Sequence, residues 1–257
     1  MWLLLDIGRT KFRMARSLDG ETFVGEPEII PTPATVEEGV ERILNAVRQS
    51  EQPVKAVMIG ASRRVWAGAR IAELVKKELT LPIYIENDAA LAGLGEATVG
   101  AGRGFKIVVY LTVSTGVGGV KIEDGRIDEN TMGFEPGQQI ITIDGEKLGH
   151  LEDYVSGLAV ARRFGRPPPE LTDEKIWQDL SRYLAVGLTN TILHWSPDCL
   201  ILGGSMFQQP GFKIAILESL IRQDLTIFPK LPVIKEATLG EASALYGGLT
   251  YLRARGL

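Results

Sequence analysis

The fold is decided by residues 1–16, Met1-Trp-Leu-Leu-Leu-Asp-Ile-Gly-Arg-Thr-Lys-Phe-Arg-Met-Ala-Arg16. Residues 2–5 form an apolar run typical of an interior strand, and residues 8–10, Gly-Arg-Thr, are typical of a tight turn. Residues 11–16 then alternate charged and apolar side chains, as a half-buried return strand does. The stretch therefore predicts a β-hairpin with a carboxylate, Asp6, at its mouth.

A turn of this composition suits a phosphate group. Gly8 lets backbone N–H groups approach a phosphate, Thr10 adds a hydroxyl donor, and Asp6 can hold a hydrated Mg²⁺ beside them. Asp and Gly are also ordinary turn residues, so for this stretch alone a turn without a ligand is the simpler interpretation.

The same pattern occurs a second time. Residues 107–113 form another apolar strand, Ser114-Thr-Gly-Val-Gly-Gly119 is a Gly-rich turn with hydroxyls, and residues 120–122 form a return strand. One hairpin thus heads each half of the chain, which is the organisation of a kinase cleft between two related lobes. Residues 128–151 show no clear pattern and are expected to be irregular, whereas residues 152–164 are expected to form one helix.

Composition excludes several classes of protein. With 257 residues, 45% of them hydrophobic, the chain has enough apolar side chains for two modest cores. A net charge of −4 without basic runs argues against nucleic acid as a partner. A single cysteine, Cys199, predicts a buried thiol in a reducing compartment. The early Asp6 argues against a signal peptide, and no apolar run reaches membrane-spanning length, so we expect a cytoplasmic protein that does not bind a membrane.

Six motifs in order carry a family resemblance over nearly the whole chain. They are Asp6-Ile-Gly-Arg-Thr-Lys11, Glu86-Asn-Asp-Ala-Ala90, Leu111-Thr-Val-Ser-Thr-Gly-Val-Gly-Gly119, Leu151-Glu-Asp-Tyr-Val-Ser-Gly157, Ile201-Leu-Gly-Gly-Ser205 and Leu239-Gly-Glu-Ala-Ser-Ala-Leu245. Their order resembles the ROK family of sugar kinases. The resemblance implies an α/β, two-lobed actin-like ATPase (ribonuclease H-like) fold with duplicated β-hairpin phosphate loops.

The resemblance also implies an organisation and an activity. Residues 1–108 would form the N-terminal lobe, joined by a returning helix at 240–257, and residues 109–239 would form the C-terminal lobe. Mg·ATP would bind in the cleft between them and phosphorylate a hydroxyl of a sugar or sugar derivative, as in glucokinases and hexokinases. Family members often dimerise, so a homodimer is compatible with it.

Matching positions supply candidate site residues. Asp88 would be the catalytic base, and Asn87, Glu135 and Glu152 would bind the sugar. The residues implied for ATP and its phosphates are Asp6, Gly8, Thr10, Lys11, Thr115, Gly116, Gly203 and Gly204, with Asp6 also holding Mg²⁺ through water. On local grounds Asp88 is equally a helix cap, Glu152 a first-turn helix acid, and Gly203-Gly204 an ordinary turn.

Three departures from the family pattern affect these expectations. The first is the missing zinc segment: Gln138 replaces the family's histidine and no cysteine remains, so we expect no structural zinc and an ordinary role for His150. The second is a deletion that leaves only residues 61–68 where a sugar-covering loop normally stands. One wall of the sugar pocket is then missing, or rebuilt from Ser62, Arg63, Arg64 or Trp66.

The third departure is Arg9, where the family prefers glycine. Its side chain either crowds the γ-phosphate or places a guanidinium on it. The departures support an alternative function, a ROK-derived sugar-binding or regulatory protein with weak or lost turnover. A DNA-binding repressor is disfavoured, because a hairpin at residue 1 leaves no room for a helix-turn-helix.

Overall fold

The computed structural model describes residues 1–62, 69–209 and 211–256. The first elements are β1 (Trp2–Ile7), β2 (Lys11–Ser17), β3 (Glu28–Pro31), α1 (Val36–Arg48), β4 (Ala56–Ala61), α2 (Ala69–Glu78), β5 (Ile83–Glu86) and α3 (Asp88–Thr98). The next are β6 (Ile107–Val113), β7 (Val117–Glu123), β8 (Arg126–Ile127), β9 (Ile140–Asp144), β10 (Lys147–His150), α4 (Leu151–Val155) and α5 (Gly157–Phe164). The last are α6 (Glu174–Trp195), β11 (Cys199–Gly203), α7 (Ile214–Asp224), β12 (Val233–Glu236) and α8 (Ser243–Arg253).

The chain divides into two compact units. Unit 1 is Met1–Thr98 with Glu241–Leu257, and unit 2 is Val99–Gly240. A boundary at residue 108 would fall inside β6, which pairs with β7 and β11 of unit 2. Among the described residues, no helix combines the length and the apolar character needed to cross a membrane.

Unit 1 is a five-stranded sheet with helices on both faces. All residues of β1 are buried, because β1 lies between β2 and β4. On one face Leu3 and Leu5 share a core with the apolar side of α1, and on the other Leu4 packs with Leu245 and Leu249 of α8. Helix α1 begins after Thr35, whose hydroxyl accepts a hydrogen bond from the Glu38 N–H (3.2 Å).

Unit 2 repeats the topology of unit 1. The strand orders are β3-β2-β1-β4-β5 and β8-β7-β6-β11-β12. In each sheet an antiparallel hairpin, β1–β2 or β6–β7, is followed by two parallel strands. The repeated hairpin predicted from the sequence is therefore confirmed. Cys199 on β11 is buried as expected, and burial raises the pKa of its thiol to about 11.

Several local expectations are wrong. Residues 128–151 are not wholly irregular, because they contain a 3₁₀ turn (Pro136–Gln138) and the hairpin β9–β10. Gly145 has a φ of +57° at the tip of this hairpin, so Asp144-Gly145 was a turn signal between two short strands, Ile140–Asp144 and Lys147–His150. The helix expected at 152–164 is two helices, since Ser156 ends α4 and caps α5 by accepting from the Ala159 N–H (3.2 Å).

Helices α3 and α8 pack with almost no separation at two glycines. A Cβ on Gly95 would lie 2.2 Å from the Ser243 carbonyl oxygen, and one on Gly247 would lie 1.8 Å from the Leu91 carbonyl oxygen. Both neighbours are backbone atoms, which cannot move aside as a side chain can. The small residues of α3 therefore serve close helix packing.

We predict that Gly247→Ala lowers the free energy of unfolding by about 2 to 4 kcal/mol, because α8 must move away from α3. Gly248→Ala is the matched control, since its Cβ would meet a Leu4 methyl group at 3.1 Å and that side chain can shift. Urea unfolding measures both variants. Equal effects at the two positions would contradict the packing argument.

Candidate functional site

The first loop, residues 8–10, joins β1 to β2 in unit 1. The Gly8 N–H donates to the Lys11 carbonyl (3.0 Å), and Arg9 and Thr10 are exposed at the tip. The Thr32 hydroxyl donates to the Gly8 carbonyl (2.7 Å), which fixes the loop from the segment after β3. The backbone of Arg9 is not in the left-handed region, so this position tolerates a side chain without strain.

Asp6 lies at the end of β1 with little access to solvent. Its side chain is 10% exposed, and its Oδ2 accepts a hydrogen bond from Arg13 Nη1 at 2.8 Å. Burial raises the pKa of Asp6 to about 7; Arg13 opposes this shift, and the negative charges of Asp88 and Glu241 add to it. Sequence reasoning missed Arg13, although the antiparallel register places it directly opposite Asp6.

Lys11 pairs with a residue from the returning C-terminal segment. Its Nζ donates to Glu241 Oε1, and Arg13 Nε lies 3.6 Å from Glu241 Oε2. The hydrogen bond from Lys11 is the main cause of a lowered pKa at Glu241. Glu241 belongs to a sequence motif noted above, but its role beside the first loop was not anticipated.

Asn87 and Asp88 follow β5 at the start of α3. Asn87 Oδ1 accepts from the Ala90 N–H (3.0 Å), which is the N-cap interaction, whereas Asp88 Oδ1 accepts from the adjacent Ala89 N–H (3.0 Å). The capping role considered for Asp88 therefore belongs to Asn87. A Cβ on Gly60 would lie 3.7 Å from the Asp88 Cα, so Asp88 stands at the carboxyl edge of β4, the edge where β1 carries Asp6.

The second loop, residues 114–116, joins β6 to β7 in unit 2. The Ser114 N–H donates to the Gly116 carbonyl (2.8 Å), and the Gly157 N–H donates to the Ser114 carbonyl (2.7 Å). Thr115 and Gly116 are half-buried in this loop. The turn was expected to extend to Gly119, but β7 begins at Val117. Gly119 is needed for packing, since its Cβ would lie 2.6 Å from the Tyr110 carbonyl oxygen.

Gly203 and Gly204 lie beside the same hairpin. Gly204 has a φ of +96°, and a Cβ there would lie 2.3 Å from the Val113 carbonyl oxygen, just before the second loop. A Cβ on Gly203 would lie 2.8 Å from the Tyr110 hydroxyl. Gly204 is thus required by its backbone conformation and its close approach to the end of β6, whereas Gly203 faces the Tyr110 side chain.

Glu152 and Glu135 lie on either side of the start of β7. Glu152 Oε2 accepts from the Val117 N–H (2.8 Å), so this carboxylate fastens the end of the second loop. Glu135 is exposed and precedes the 3₁₀ turn, where a Cβ on Gly137 would lie 2.5 Å from the Val117 carbonyl oxygen. Unit 2 therefore gathers Glu152, the Glu135 turn and the second loop around Val117.

The segment that replaces the family's zinc site is a hairpin. His150 ends β10 and begins α4, with Nδ1 3.3 Å from Asp153 Oδ2, and the His150 N–H donates to the same oxygen (3.2 Å). In the described ranges no group of three His, Cys, Asp or Glu side chains is arranged to hold a metal ion. Arg63, Arg64 and Trp66 lie outside the described residues, and Ser62 is half-buried after β4.

Two units built on the same hairpin-centred sheet define the actin-like ATPase fold. The sequence model of the ROK family matches residues 3–255, and the chain belongs to this family. A fructokinase from Lactococcus lactis subsp. cremoris is 29% identical over 208 residues, which are 72% of this chain and 71% of that protein.

Solved structures show the same similarity. A ROK hexokinase from Thermus thermophilus has a TM-score of 0.81 and 26% identity, with 99% of each chain covered. A ROK family glucokinase from Streptomyces griseus, solved with glucose and AMPPNP, has a TM-score of 0.78 and 23% identity, with 98% of this chain and 99% of that chain covered.

The buried carboxyl group of Asp6 predicts a pH dependence of stability. The folded protein holds this proton up to about pH 7, whereas the unfolded chain releases it near pH 4. The folded state therefore binds more protons across this interval, and the contribution of Asp6 to stability falls as the pH rises from about 4 to 7.

Asp6→Asn removes this contribution. Relative to the original protein, the variant is expected to gain stability over this pH interval by on the order of a few kcal/mol and to gain nothing further above about pH 8. Urea unfolding in metal-free buffer at a series of pH values measures the difference. A stability difference that is constant from pH 4 to 8 would show that Asp6 is ionised throughout.

Asn87 is expected to stabilise α3 through its side-chain cap. Asn87→Ala should lower the free energy of unfolding by about 1 kcal/mol, because the Ala90 N–H loses its acceptor. Asn87→Ser retains a capping oxygen and should lose only a few tenths of that amount. Thermal unfolding distinguishes the two, and equal losses would rule out the capping interaction.

Proposed function

We propose that this protein is an ATP-dependent sugar kinase that transfers the γ-phosphoryl group of ATP to a hydroxyl of a sugar or sugar derivative. The fructokinase and hexokinase relatives support the class of reaction. Within this chain, the proposal rests on the position of Asp88. This residue lies at the carboxyl edge of the parallel strands, and its negative charge is close enough to Asp6 to raise the pKa of Asp6.

Asp88 is proposed as the general base. It accepts the proton of the sugar hydroxyl as that oxygen attacks the γ-phosphorus, and ADP leaves from the opposite side. Asn87 binds a sugar hydroxyl through its amide nitrogen, because its oxygen already caps α3. Glu135 and Glu152 accept hydrogen bonds from further hydroxyl groups, and Glu152 also positions the second loop.

Both loops have donors that fit the phosphates of ATP. The first loop presents Gly8, Thr10 and Lys11, with Thr10 and Lys11 exposed, and the second presents Thr115 and Gly116. Gly203 and Gly204, which lie beside the second loop, are proposed to contact the nucleoside through their backbone. A bound Mg²⁺ would supply positive charge to the phosphates, and ionised Asp6 would hold such an ion through water with Oδ1, the oxygen not bonded to Arg13.

The initial experiment is a measurement of ADP formation over a panel of hexoses, amino sugars and N-acylated sugars. Sugar-dependent ADP formation is expected with at least one of them. Sugar binding without ADP formation would favour the regulatory alternative, which the exposed Gln138 and the short segment at 61–68 support.

Asp88→Asn tests the general base. The variant keeps the size of the side chain but cannot take a proton, so kcat should fall about 10²- to 10⁴-fold while the KM for ATP stays within a few-fold. Glu174→Gln, in the first turn of α6, is a control that should leave kcat unchanged. Near-full turnover by Asp88→Asn, or a loss of melting temperature in place of rate, would remove Asp88 from this role.

A further inference from the structure

Two cations on β2 converge on one carboxylate. Lys11 and Arg13 are two residues apart on the strand and therefore share a face, and Glu241 contacts both, through Oε1 and Oε2 respectively. The Lys11 and Glu241 side chains are 46% and 43% exposed. An exposed ion pair of this kind contributes little to stability, so another anion can replace the carboxylate at small cost.

The Arg13 guanidinium is held in place but incompletely bonded. Nη1 is fixed by Asp6 at 2.8 Å, whereas Nε is buried and has no hydrogen-bond partner among the described residues. Glu241 Oε2 lies 3.6 Å from Nε, which is too long for a hydrogen bond. A buried N–H without an acceptor is unfavourable, so this group is suited to an anion that approaches more closely than Glu241 does.

We propose that Arg13 is a second phosphate-binding residue beside Lys11, and that Glu241 occupies the position of a nucleotide phosphate until the nucleotide displaces it. The proposal deepens the proposed function, on which it rests. A phosphate group offers more acceptor oxygens than a carboxylate and suits a guanidinium held in a fixed orientation. The guanidinium also lies against the first loop, because a Cβ on Gly8 would be 3.7 Å from Arg13 Nη1.

The test is calorimetric titration with ADP in the absence of Mg²⁺. Glu241→Gln removes the competing charge and should bind ADP about fivefold more tightly. Arg13→Gln should bind ADP about tenfold more weakly or worse, and Arg13→Lys, which keeps the charge, should recover part of the loss. Glu37→Gln is the matched control: Glu37 forms an exposed ion pair with Arg70 in the same unit (3.0 Å), and ADP affinity should not change.

The direction in which Glu241→Gln changes the affinity for ADP distinguishes this role from a structural one. If Glu241 only anchors the start of α8, Glu241→Gln lowers the melting temperature and leaves ADP affinity equal or weaker, which overturns the proposal. Tighter ADP binding by Glu241→Gln in a protein that phosphorylates no sugar would leave the proposal standing and reject the proposed function. If the original protein binds neither ADP nor tripolyphosphate, the proposal fails; if Arg13→Gln does not fold, Arg13→Lys and Glu241→Gln decide it.

Discussion

The contact between Asp6 and Arg13, which becomes an ion pair as Asp6 loses its proton near pH 7, is the interaction on which the first loop depends. Asp6 is the penultimate residue of a strand whose other side chains are apolar and buried, and a lone carboxylate there would be costly. The antiparallel register places Arg13 opposite Asp6 and compensates part of that cost. Replacing both partners by apolar residues is often neutral or stabilising for such pairs, so we interpret this buried polar pair as serving the chemistry proposed for the loop.

Unit 2 builds the equivalent hairpin by other physical means. Strand β6 ends in Val113 with no carboxylate at the corresponding place, and backbone packing at Gly119 and Gly204 brings neighbouring segments against it. Glu152 then reaches across from α4 to hold the Val117 N–H. The first loop thus has a buried Asp–Arg contact behind it and the second has close backbone packing, although the two sheets share one topology.

The sequence was sufficient for the parts of the fold that local patterns determine. Apolar runs and alternation predicted β1, β2 and the second hairpin, because strand period and turn composition are local properties. Arg13 and Glu241 were missed as site residues because their pairing depends on strand register and on a chain segment distant in sequence. The capping role considered as an alternative for Asp88 belongs to Asn87 for a related reason: both are good capping residues, and only the start of α3 decides between them.

The departure from the family's zinc-binding motif affects the β9–β10 hairpin more than the second loop. The residues that follow this hairpin are held by two hydrogen bonds. The Leu151 N–H donates to the Gln139 carbonyl (2.9 Å), and Glu152 Oε2 accepts from the Val117 N–H (2.8 Å). His150 and Asp153 form two hydrogen bonds at the start of α4, one from the His150 N–H (3.2 Å) and one at His150 Nδ1 (3.3 Å). The second loop, residues 114–116, is thus held by hydrogen bonds from Gly157 and to Glu152, and both residues lie outside the altered segment. A change in activity caused by that segment would therefore arise on the side of Glu135 and the exposed Gln138, where the sugar is proposed to bind, and not at the phosphates.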